Sequence, residues 1–141
     1  MLLAMKNQLK LALAMKILDP PEYILGIRVE RDMQWRLFYT SQEKYIENVL
    51  QKFNMNDAKA LRLSLQPLVK LCQKYCPKDD AAVKSMKDVP YVSGYSSSVD
   101  AMVATRSDIA HAVGVLSKFV ATSGKAHWEA IKLIMKYLKH T

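Results

Sequence analysis

A chain of 141 residues, half of them hydrophobic and 24% charged, has the composition of one globular domain or part of one and is long enough to bury a core. Its formal net charge of +8 favours anionic partners, nucleic acid first and acidic membrane next. Two cysteines, Cys72 and Cys76, are too few for a structural zinc site or a disulfide framework and read as free thiols in a reducing compartment.

Residues 1–16 are predicted to form a helix, with Leu2, Met5, Leu9 and Leu13 on one face and Lys6 and Lys10 on another. A core helix is the preferred reading over a membrane-surface one. Lys6, Lys10 and Lys16 interrupt the apolar residues, so no run reaches transmembrane length and no signal peptide is read. The expectation is an intracellular protein, cytoplasmic or nuclear, with no membrane partner. Pro20-Pro21 ends the helix.

EYILGIRVERD follows, with Tyr23, Leu25, Ile27 and Val29 alternating against Arg28 and Glu30, and predicts a strand. Gly26 within it marks a bulge or a close backbone approach. Asp32-Met33-Gln34 is read as a turn, and WRLFYT, with Trp35, Leu37 and Tyr39 alternating, as the antiparallel partner. A helix is then expected from Thr40 or Ser41, with Thr40 and Glu43 at capping-box spacing. Its apolar face is Tyr45, Ile46, Val49, Leu50 and Phe53, and it stops near Asn54.

Residues 54–88 carry no clear period and read as a loop or linker. A helix over 88–103 contains Ser96-Ser97-Ser98, poor helix material. The last stretch gives the strongest pattern, two amphipathic helices broken at Thr122-Ser123-Gly124. Ile109, Val113, Leu116 and Val120 line the first, with Thr105 and Asp108 as its capping box. Trp128, Ile131, Met135 and Leu138 line the second, widened by Ile134 and Tyr137, with Lys132, Lys136 and Lys139 on one flank. The fold class is α+β and mainly helical: one antiparallel β-hairpin and about five helices.

Catalytic chemistry is not legible. Phosphate-binding glycine loops, zinc-protease and nucleophile-elbow motifs are all missing. His111, His127 and His140 have no ligand-spaced partner, and His127 beside Trp128 reads as a packing or capping residue at a helix start. Asp79-Asp80 lacks the hydrophobic hairpin that a metal-binding pair would need. No catalytic residue and no metal ligand is assigned.

TRSDIAHAVGVLSKF and GKAHWEAIKLIMKYLKHT resemble the "TRPDIA…V…L…F" and "HW.A.K.I..YLKGT" block of copia-type retrotransposon Pol polyproteins. SQEKYIENVLQKFNM is similar to that family's "SQ.KYI..VL..F.M" helix. Met15-Lys16, Leu18 and Tyr23 to Ile27 match "MKDLG…YILGI", Ala58-Lys59 is followed by a weak echo of "AKPVSTPL", and Cys76-Pro77 and Val89-Pro90-Tyr91 match "CP" and "VPY". The likeness covers nearly the whole chain, in order. It implies a partial reverse transcriptase fold: over 1–56 the end of the palm, a primer-gripping hairpin and a first thumb helix; over 57–88 an irregular linker; over 89–141 a helical thumb and connection segment leading toward ribonuclease H.

The family's "YVDD" carboxylates and the first acid of ribonuclease H are absent, so the implied role is backbone binding of a template–primer duplex without polymerisation by this chain alone. Magnesium is expected for a complete polymerase and no cofactor for this segment. Candidate phosphate contacts are Gly26, Arg28, Lys44, Lys52, Lys132, Lys136 and Lys139. The partners so implied are an RNA–DNA hybrid or other nucleic acid and the remainder of the Pol polyprotein. The alternative is a non-catalytic helical nucleic-acid-binding or protein-interaction module of retrotransposon origin. The chain departs from the family pattern at Asp19, at Ser107 for a proline, at His140 for a glycine and near Leu63-Ser64. Ser96 to Ala101 replace "GSLMYA", which predicts a frayed or rotated helix around Asp100.

Overall fold

The computed structural model describes residues 2–13, 15, 20–61 and 71–140, so Lys16, Leu18, Asp19, Leu63 and Ser64 lie outside the described residues. Among these the chain is α+β and mainly helical, with six α-helices and one three-stranded antiparallel sheet.

Helix α1 is Leu2–Ala12. Its residues from Ala4 to Ala12 are all exposed, so the core helix expected here packs into no core that the described residues form. Strands β1 (Tyr23–Ile24), β2 (Ile27–Asp32) and β3 (Leu37–Ser41) form a meander in sequence order. Three strands replace the expected two because Leu25 and Gly26, at φ 52° and 81°, make a two-residue turn that folds the predicted first strand in half. Consecutive positive φ values suit a tight hairpin turn, so Gly26 sits in a turn rather than in a strand bulge. Asp32 organises the second turn, its Oδ1 accepting the N–H groups of Gln34 and Trp35 at 2.9 Å. Trp35 therefore lies in the turn, and β3 starts at Leu37.

Pairing of Val29 with Thr40 and of Arg31 with Phe38 places Ile24, Ile27, Val29 and Phe38 on one face of the sheet. No residue of the three strands is buried.

Helix α2 is Glu43–Lys52 and begins one residue after β3. Thr40 belongs to β3, so the expected Thr40–Glu43 box does not form; Ser41 Oγ accepts the Glu43 N–H instead. The stretch expected to be irregular carries a 3-10 turn, Gln73–Tyr75, and helix α3, Asp80–Met86. Short elements without a long apolar period leave little for periodicity to detect.

Helix α4 (Tyr91–Ala104) is continuous, so of the expected fraying or rotation around Asp100 the fraying does not occur. The buried Ser97 and Ser98 donate their hydroxyls back to the carbonyls of Ser93 and Gly94, and Asp100 points outward to accept the Tyr45 hydroxyl at 3.2 Å. Thr105 caps the C-terminus of α4 and starts no helix: a 3-10 turn, Ser107–Ile109, leads into α5, Ala110–Ser117. Asp108 instead pairs with Arg106 at 2.7 Å and accepts the Tyr137 hydroxyl at 2.8 Å. Arg106 holds the Asp108 carboxyl well below the usual carboxylate range, at about 2.

Helix α6 (Lys125–His140) is the centre of the core. Ala130, Ile131, Ile134, Met135 and Leu138 are buried against Val49 and Leu50 of α2, Tyr91 and Ala101 of α4, and Ile109, Val113 and Leu116. Each large aliphatic side chain so buried contributes about 1.5–3 kcal/mol. The stripes predicted for the last two helices are thus the stripes that pack. Gly94 lets α4 and α6 approach: a Cβ there would stand 2.9 Å from the Trp128 ring and 3.0 Å from Ile131. Tyr91, 3% exposed, donates its hydroxyl to the Leu116 carbonyl, and burial pushes its pKa up to about 12.

Candidate functional site

The sequence proposes seven contact residues, and the structure separates them into two groups. Gly26, Arg28 and Lys44 come together. With Tyr23, Ser41, Glu43 and Glu47 they line a notch of about 190 Å³ between the sheet and the first turns of α2. The turn at Leu25–Gly26 exposes backbone at one rim. Arg28 stands on β2 and pairs with Glu30 at 2.6 Å, while Lys44 is exposed on α2. Leu25, which the sequence places in the alternating row of a strand, is 98% exposed at the tip of that turn. Leu-Gly is not among the residue pairs that mark a tight hairpin turn in sequence, so the residues gave no sharp signal for it.

The other four are spread over the helices and mostly engaged. Lys52 donates to Ser93 Oγ at 2.7 Å and lies 5.5 Å from the Phe53 ring centre. Lys132 pairs with Glu129 on its own helix. Lys139 donates to the carbonyls of Asn56 and, at 3.0 Å, Ala58, so it staples the end of α6 to the turn after α2. Lys136 is half-buried, and its backbone carbonyl accepts the Leu61 N–H.

A second, larger cleft of about 690 Å³ opens between the start of α2 and the end of α6, lined among others by Gln42, Glu47, Thr105, Arg106, Lys139 and His140. Gln42, 8% exposed, occupies the step between β3 and α2, and its Oε1 accepts the Thr105 hydroxyl at 2.8 Å.

His127 packs, as its place beside Trp128 suggested. It is fully buried, stacks on Phe119 with ring centres 4.3 Å apart, and its Nδ1 accepts the Gly124 N–H at 3.0 Å. That bond satisfies an orphan donor at the start of α6. His111 and His140 are exposed.

Among the described residues no three histidine, cysteine, aspartate or glutamate side chains converge as a metal would require, and no helix is long and apolar enough to cross a membrane. Asp79 and Asp80 sit at the start of α3, away from any hairpin.

No protein-family model matches the chain, and no solved structure matches it. Curated proteins do. The chain is 46% identical over 137 residues to the retrovirus-related Pol polyprotein from transposon TNT 1-94 of Nicotiana tabacum, covering 97% of this chain and 10% of that protein. It is 31% identical over 119 residues to the corresponding polyprotein from transposon RE1 of Arabidopsis thaliana, covering 84% of this chain and 8% of that protein. An uncharacterized mitochondrial protein of Arabidopsis thaliana is 30% identical over 137 residues, 95% of this chain and 52% of its own length. Over most of its length the chain is thus similar to a segment of the retrovirus-related Pol polyproteins of plant transposons. It spans about a tenth of the length of the Pol relatives it matches.

Proposed function

We propose that this chain is the segment of a retrotransposon reverse transcriptase that holds the template–primer duplex by its backbone, without the carboxylates that join nucleotides. The observation that carries the reading is the gathering of Gly26, Arg28 and Lys44 at one notch beside an exposed turn. A glycine backbone admits close approach of a sugar–phosphate strand, and two cations on different elements bracket it without reading bases. The net charge of +8 and the similarity to Pol polyproteins support the same reading. The remainder of such a polyprotein is the second partner proposed, because one sheet face presents the exposed apolar side chains of Ile24 and Phe38.

Binding of a labelled RNA–DNA hybrid at two salt concentrations tests this. The wild-type chain is expected to bind with a steep salt dependence. Arg28→Ala combined with Lys44→Ala should flatten the logarithmic slope by about 2, near one unit for each phosphate no longer neutralised. Lys139→Ala should cost about 1 kcal/mol of stability and leave the slope unchanged, since its ammonium is engaged by carbonyls. An equal slope for wild type and the double variant would sink the proposal.

A further inference from the structure

The notch is built across a joint. Tyr23, Gly26, Arg28 and Ser41 reach it from the sheet, Glu43, Lys44 and Glu47 from α2. Gln42 is the one residue between the two elements. No residue of the sheet is buried, so packing contributes little to its angle against the helices. The backbone at the step is tied on both sides: the Ile46 N–H bonds the Gln42 carbonyl at 2.9 Å, and the Glu43 N–H bonds Ser41 Oγ. Gln42 is 8% exposed and lines the larger cleft. There it meets Thr105, which lies 63 residues further on, at the end of α4. Thr105 is anchored in turn by its own N–H to the Ala101 carbonyl, and Ala101 is in the core.

We propose that Gln42, pinned by Thr105, is the joint that fixes the angle of the sheet against the helices and so the width of the notch between Arg28 and Lys44. Gln42 and Thr105 are positioning residues, acting on the notch through the backbone at the step. Without their bond the sheet swings as a rigid arm about one residue, since its own strand pairing is intact. The notch then samples many widths, and two cations that must meet successive phosphates are held together less of the time.

The inference rests on the duplex-binding reading for its consequence but not for its geometry, and the test separates the two. Spin labels at Met33, in the turn of the sheet, and at Lys118, after α5, are introduced in the full chain with Cys72→Ser and Cys76→Ser. Their distance distribution by double electron–electron resonance is expected to be single and narrow in the otherwise wild-type chain. It should broaden in Thr105→Val and Gln42→Ala, and narrow again in Thr105→Ser, which keeps the hydroxyl. A circular dichroism melt confirms that the helices remain folded at the temperature of measurement. Hybrid affinity should fall by about threefold to tenfold in the two broadened variants and recover in Thr105→Ser. A distribution unchanged by Thr105→Val, or already broad without it, overturns the joint. Broadening with no hybrid binding by any form leaves the joint standing and removes the duplex reading.

Discussion

At the scale of single residues, His127 shows how far chemistry follows surroundings. Its Nδ1 accepts the Gly124 N–H, so the ring is neutral with its proton on Nε2, and Nε2 is buried without a partner among the described residues. Burial pushes the pKa below the ordinary 6.5. A histidine neutral when folded and protonated when unfolded stabilises fully above that ordinary value, and the stability is lost as pH falls below it. The melting temperature is therefore expected to drop between about pH 7.5 and about 5.5. In His127→Asn, whose side-chain oxygen can still accept from Gly124, the profile should be flatter over the same range. Thermal melts at a series of pH values check it, and parallel profiles for the two proteins would contradict it. The Thr105–Gln42 bond is the companion case: Thr105 reads in sequence as half of a local capping box with Asp108, and its hydroxyl instead finds Gln42 in a distant element.

At the scale of elements, the close crossing of α4 and α6 is the feature most sensitive to a single atom. Gly94→Ala would gain up to about 1 kcal/mol of helix propensity on an isolated helix. Here the new methyl meets the rigid Trp128 ring and Ile131 at about 3 Å, and overpacking of that kind costs about 1–3 kcal/mol. The expected outcome is net destabilisation, read from the midpoint of a urea titration; an unchanged or raised midpoint would show that α4 can shift. α4 also carries the clearest correction to reasoning by substitution. Serines on a buried face looked disruptive, yet each hydroxyl is satisfied one turn back. The turn at Leu25–Gly26 is the opposite lesson, because an LG pair in an alternating run is legible as a hairpin only once both φ values are known to be positive.

At the scale of the whole molecule, stability is unevenly shared. The helices α2, α4, α5 and α6 share a buried cluster, whereas among the described residues the sheet and α1 contribute none of its members. A small sheet with no buried residue among its three strands is marginal by itself. Amide hydrogen exchange should show β1–β3 opening at least about a hundredfold more readily than the amides of Ile131 to Met135, which should open only on global unfolding. Equal protection across both regions would mean that the sheet is held by contacts other than those described.

The sequence by itself determined the helical stripes, the burial of Ile109, Leu116, Ile131 and Met135 and the likeness to Pol polyproteins. All are local in the chain, carried by periodicity, spacing and motif. Tertiary structure decided which of the seven cationic and glycine candidates share a surface. It also decided that Lys139 is a staple, that Asp100 escapes burial, and that Gln42 meets Thr105. Those outcomes depend on which side chain faces which across distances of tens of residues, and a hydrogen bond or ion pair of that range leaves no periodic trace in the chain that makes it.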